Sequence, residues 1–142
     1  MMWGVVNAVN VLQTVGFLSR IRSGTMTLNH RLGYVMIALA APALVALVAF
    51  VESRAGVVLS LGPVVYVLFV ALMLAVDYVA PLEFRSPPRY GILVPYLVLF
   101  FAAILLMGLP MFTLNRSYWL VTVATSVLLL MSMVVALRKG VG

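Results

Sequence analysis

The sequence predicts an all-α integral membrane protein, a compact bundle of about five transmembrane helices with its N-terminus outside and its C-terminus cytoplasmic. Three observations carry this. Mean hydropathy is +1.23, 65% of residues are hydrophobic, and only 8% are charged, where a soluble domain carries about 25%. A soluble core built from 142 residues cannot hide so much apolar surface. The apolar residues also fall into five runs of the length that crosses a bilayer, roughly 17–25 residues. Five such runs use nearly the whole chain, so residues 1–142 read as a single transmembrane helical domain with no segment left for a soluble catalytic unit.

The first span covers residues 2–19 and begins Met-Met-Trp-Gly, with no positive charge ahead of the apolar stretch. A secretory signal would place its cations first, so the segment reads as a retained helix. A polar loop is expected from Arg20 to Arg31, with Thr27 or Asn29 capping the helix that follows. The second span, 32–51, is alanine-rich with Pro42 near its centre, and Glu52, Ser53, Arg54 and Gly56 form the turn after it. The third, 57–79, holds Gly62-Pro63 early and Asp77 at its end. Glu83, Arg85, Pro87, Pro88 and Arg89 make a loop that the proline pair holds extended. The fourth span, 91–114, has Pro95 early and Gly108-Leu109-Pro110 late. Only Asn115 and Arg116 separate it from the fifth, 117–137, which predicts a tight hairpin between the two. Trp3, Tyr118 and Trp119 suit a membrane–water interface.

The cations fix the expected orientation. Five spans put Arg20, Arg22, Arg31, Arg85, Arg89, Arg138 and Lys139 on one side and Arg54 and Arg116 on the other. Seven against two is a positive-inside signal, and it points to a multi-pass protein of the cell membrane, the plasma membrane of a prokaryote. The net charge of +6 therefore reads as topology, and no nucleic-acid partner is expected.

Four sets of residues are candidates for chemistry. Asn7, Asn10, Gln13 and Thr14 share one face of the first span at 3.6 residues per turn. Amides in hydrocarbon need partners, so this face should turn into the bundle, as interhelical glue or as a polar pathway. Gly4, Ala8 and Gly16 line another side of that helix, and Thr122, Thr125, Ser126 and Ser132 stud the last span; both rows read as packing. Arg20, Arg22, Arg31, Arg85 and Arg89 are a candidate site for an anionic lipid headgroup, set against the simpler reading that they only define topology. Asp77 and His30 are the candidate ionisable site residues, with Asp77 expected to bridge to Arg85, Arg89 or Arg31.

The inventory of reactive groups is small. The chain has no cysteine, one histidine and three acidic residues. A thiolate metal site is excluded, a bis-histidine haem cannot be held by one copy, and no metal or cofactor is expected. The sequence therefore predicts a non-catalytic accessory or scaffold subunit of a membrane complex, or a homo-oligomer, whose partners are membrane lipids and other subunits or a second copy. A transporter or channel assembled around the first-span amides is the second expectation. A lipid-binding or lipid-acting protein, with Asp77 its one available base, is the third.

Overall fold

The computed structural model describes residues 1–25, 27–85 and 89–140, and every described element is helical. The helices are α1 (Met2–Ser23), α2 (Thr27–Ala38), α3 (Ala40–Glu52), α4 (Val57–Met73), α5 (Tyr90–Gly108), α6 (Met111–Leu114) and α7 (Arg116–Arg138), with a π-helical turn, Leu74–Val79, extending α4. Four continuous stretches, Thr27–Glu52, Val57–Val79, Tyr90–Leu114 and Arg116–Arg138, are long and apolar enough to cross a membrane. The chain is thus a multi-pass helical membrane protein. The amides of α1 keep it out of that apolar class. Its 22 residues nevertheless extend about 33 Å, and it runs inside the bundle in contact with α2, α3, α5 and α7.

Proline sets the breaks. Pro42 has no N–H to return to the carbonyl of Ala38, and its ring crowds that carbonyl, so the Thr27–Glu52 segment hitches at Leu39, between α2 and α3. Pro110 does the same to Leu106 and divides α5 from α6. That break supports packing elsewhere. The Leu106 carbonyl, left without its helical donor, lies against Gly62 of α4, where a Cβ would fall 3.0 Å from the oxygen. Glycine is required for this approach, and α4 and α5 form an extensive antiparallel pair. Tyr66, Phe69, Met73, Phe100, Ala103, Ile104 and Met107 are all buried in the core.

The expected loop from Arg20 to Arg31 is mostly helix. α1 continues to Ser23, where Gly24 closes it in a left-handed cap, and α2 has begun by Thr27. Cationic side chains at a helix end complement its dipole, so charge here marks an end rather than a loop. Asn29 therefore lies within α2 and does not cap it. Pro87 and Pro88 lie outside the described residues. At the last connector Asn115 caps α7, accepting from Ser117 N at 2.9 Å and Tyr118 N at 3.3 Å.

The hairpin expected between the last two spans does not form as a tight pair. α7 packs along α1 and meets α5 only in a limited contact, where Gly108 faces Thr122. The reason is chemical: the hydroxyls of α7 find amides on α1. The pairing is parallel and in register, with partners a near-constant distance apart in sequence: Trp3 Nε1 donates to Tyr118 O, Asn7 to Thr122 and Asn10 to Thr125, each 115 residues on.

Candidate functional site

Two polar constellations stand out, one along the α1–α7 contact and one at the end of the bundle. The first is the α1–α7 seam. Trp3 stacks on Tyr118 with ring centroids 4.7 Å apart. Asn7 Nδ2 donates to Trp3 O at 2.8 Å and to Thr122 Oγ1 at 3.0 Å, while its Oδ1 accepts from Thr125 Oγ1 at 2.8 Å. One helical turn on, Asn10 Nδ2 donates to Thr125 Oγ1 at 3.0 Å and Ser126 Oγ at 2.9 Å. Asn10 is fully buried, and its Oδ1 has no partner. The hydroxyls also bond back to their own helix: Thr122 donates to Tyr118 O, and the one Thr125 hydroxyl proton is shared between Asn7 Oδ1 and Thr122 O. Thr14 returns its hydroxyl to Asn10 O. Gln13 leaves the seam and points to α2, where its Nε2 donates to Met36 Sδ. Of the small-residue row on α1, Gly4 has open space where a Cβ would be and Gly16 faces α2 instead of α7.

The second constellation gathers at the end of the bundle where α1 stops and the α4 extension turns into the loop before α5. Pro81 cannot donate to the carbonyl of Asp77, and the chain widens to π-helical hydrogen bonding over Leu74–Val79, with Ala80 N bonding Ala75 O at 2.9 Å. A π-turn re-aims the side chains it carries. Asp77 lies within it and takes a bidentate pair from Arg85, Nη1 to Oδ1 at 2.8 Å and Nη2 to Oδ2 at 3.0 Å. Tyr96 of α5 donates to Asp77 Oδ2 at 3.4 Å. The Arg85 guanidinium also lies 4.3 Å from the Phe84 ring centroid and 5.2 Å from that of Tyr96. Burial opposes its charge, but the Asp77 hydrogen bonds and the negative charge beside it outweigh burial, so Arg85 stands above the ordinary arginine pKa.

Arg20 completes this end. It is only 7% exposed, although it sits in the last turn of α1. With the Asn29 amide oxygen facing it, Asn29 accepts from Arg20 Nε at 3.0 Å and Nη2 at 2.6 Å and donates to Gly16 O at 2.9 Å. The opposite amide orientation would set NH₂ against the guanidinium donors. Gly16 makes the room, since a Cβ there would fall 2.8 Å from the Asn29 side chain. The guanidinium is 5.4 Å from the Phe17 ring and within electrostatic reach of Arg85, Tyr96 and Asp77.

The five arginines nominated from sequence thus divide. Arg20 is buried and Arg85 half-buried, within electrostatic reach of one another, while Arg22, Arg31 and Arg89 are exposed. His30 and Asp77 are not joined: His30 stacks on Tyr78 at 4.4 Å, beside Tyr34 at 5.5 Å, and the ion pair found among the described residues is Arg85–Asp77. Sequence reasoning missed Phe84, Tyr96 and Asn29. A phenylalanine lodged between Glu83 and Arg85 in a charged loop was the available signal, because an aromatic there has reason to fold inward; Phe84 is completely buried.

Comparison of the chain with family models, curated proteins and solved structures finds no match. Function must therefore be argued from these two constellations. Among the described residues there is no group of three or more histidine, cysteine, aspartate or glutamate side chains placed to hold a metal ion.

Proposed function

We propose that this protein is a non-catalytic accessory or scaffold subunit of a membrane assembly, or the repeating chain of a homo-oligomer, seated in a prokaryotic plasma membrane with its N-terminus outside. The observation that carries the reading is that the polar face of α1 is taken up within the chain itself. Asn7 and Asn10 are bonded to Thr122, Thr125 and Ser126, which is the use of amides as helix glue. A conduction path needs polar groups turned to water. Asp77, at the end of the Val57–Val79 segment, has both carboxylate oxygens held by Arg85.

Helix directions support the orientation. Because α1 and α7 are parallel and each neighbouring segment reverses, Arg20, Arg22, Arg31, Arg85, Arg89, Arg138 and Lys139 belong to one end of the bundle. Cysteine labelling tests this on a chain that has no cysteine of its own. Ser53→Cys is expected to react with an impermeant maleimide applied to intact cells, and Thr25→Cys is expected to react only after permeabilisation. The reverse pattern inverts the topology.

Mass measurement in mild detergent, with capture of partners from native membranes, tests the subunit reading. A complex or a defined homo-oligomer is expected. A strictly monomeric species that carries ions or solutes across a liposome bilayer would overturn it in favour of a transporter.

A further inference from the structure

We infer that Arg20 and Arg85 form a binding site for a phosphate group at the cation-rich end of the bundle, recognising the phosphate of an anionic lipid or a free phosphate ion. The inference is independent of the subunit reading and rests on charge balance in a partly dry place. Three acidic residues exist in the chain, Glu52, Asp77 and Glu83. Glu52 belongs to the opposite end, as the last residue of α3, and Glu83 is exposed. Among the described residues Asp77 is the one acid beside Arg85, which holds both of its oxygens, and it lies within electrostatic reach of Arg20. Two guanidinium charges thus share one carboxylate, and the uncompensated one is Arg20, which is 7% exposed.

A buried cation without a counter-charge is costly to maintain. Asn29 supplies hydrogen bonds to Arg20 but no negative charge, and the Phe17 ring supplies only a weak attraction. Arg85 lies close enough to repel Arg20. An anion between them relieves both defects at once. Phosphate is the anion that fits the chemistry: its several oxygens accept from two guanidinium groups together. Arg85 keeps N–H groups not used on Asp77, and its side chain is 27% exposed, so the site opens outward. Its position at a helix end, beside the exposed Arg22, Arg31 and Arg89, places it at the depth where headgroup phosphates lie.

The test uses the full chain in mild detergent with native mass spectrometry, comparing phosphatidylglycerol with a diacylglycerol of the same chains that lacks the phosphate. Retention of phosphatidylglycerol over diacylglycerol is expected. It should fall on the order of tenfold in Arg20→Gln, the scale of losing charge-assisted hydrogen bonds, and less than about twofold in the exposed control Arg22→Gln. Should Arg20→Gln not fold, the wild type still decides the matter: dihexanoyl phosphatidic acid is expected to raise its melting temperature and dihexanoylglycerol is not. Inorganic phosphate forms the second arm. A matching shift by phosphate alone, abolished in Arg20→Gln or, failing that variant, in Arg20→Lys, identifies a free-ion site, and a shift by lipid only identifies a headgroup site. Equal retention of the two lipids, or equal losses in Arg20→Gln and Arg22→Gln, overturns the inference.

Discussion

The amide seam makes a prediction that runs against burial. Asn10 is fully buried and Asn7 only half-buried, so exposure alone ranks Asn10 as the more important residue. Hydrogen bonding reverses the order. Asn7 uses both ends of its amide: it donates to Trp3 O and Thr122 and accepts from Thr125. Interhelical bonds of this kind contribute about 0.6 kcal/mol on average in a membrane and up to about 1.7. With two across the seam and one local, Asn7→Ala is expected to cost about 1–3 kcal/mol. Asn10 donates twice to α7, worth about 1.2 kcal/mol at the same average. Its carbonyl is buried without a partner, a defect of about 1–3 kcal/mol that Asn10→Ala removes. The released Thr125 hydroxyl still bonds Thr122 O. The two terms nearly cancel, so Asn10→Ala is expected to stay within about 1 kcal/mol of wild type. Unfolding in mixed micelles by titrated dodecyl sulfate, followed by tryptophan fluorescence, measures both, since Trp3 lies on this seam. An Asn10→Ala loss equal to or larger than that of Asn7→Ala would refute the reasoning and mean that the orphan carbonyl is satisfied in the native protein.

Two further outcomes follow from packing and charge. Gly62→Val pushes a branched side chain onto the Leu106 backbone oxygen and should destabilise the fold by about 1–3 kcal/mol in the same assay, whereas Gly4→Ala, with open space around it, should be neutral or slightly stabilising. Asp77→Asn strips Arg85 of its counter-charge. Because the pair is partly exposed, the expected loss lies between the surface and buried limits, about 1–3 kcal/mol. The double change Asp77→Asn with Arg85→Gln should recover at least half of it, and no recovery would show that the pair is not coupled.

What could be read from the sequence, and what could not, divides along physical lines. Hydropathy located the membrane segments because lipid imposes one length and one polarity on anything that crosses it. The spacing of Asn7, Asn10 and Thr14 gave one helix face because the α-helical period is fixed. Partner choice was not legible. Asp77 had three arginines in range, and only the widened turn before Pro81 aims it at Arg85. The last two spans read as a hairpin from loop length, yet Pro110 breaks the approach and the hydroxyls of Thr122, Thr125 and Ser126 hold α7 on α1. Arg20 looked like its neighbours Arg22 and Arg31; it bonds Asn29 and lies over Phe17, contacts that composition cannot place.

The parallel seam between the first and last helices has a consequence for biosynthesis. The amides of α1 are synthesised first, but the hydroxyls that bond them are encoded 115 residues later. At about 5–20 residues per second, the ribosome needs roughly 6–23 s to deliver them. During that interval Asn7 and Asn10 are in or beside the bilayer with no α7 to meet, and α1 is the least apolar of the long helices. Its early residence must then depend on water, the insertion machinery or provisional contacts with α2 and α3, and the register of the bundle closes only when the end of the chain arrives.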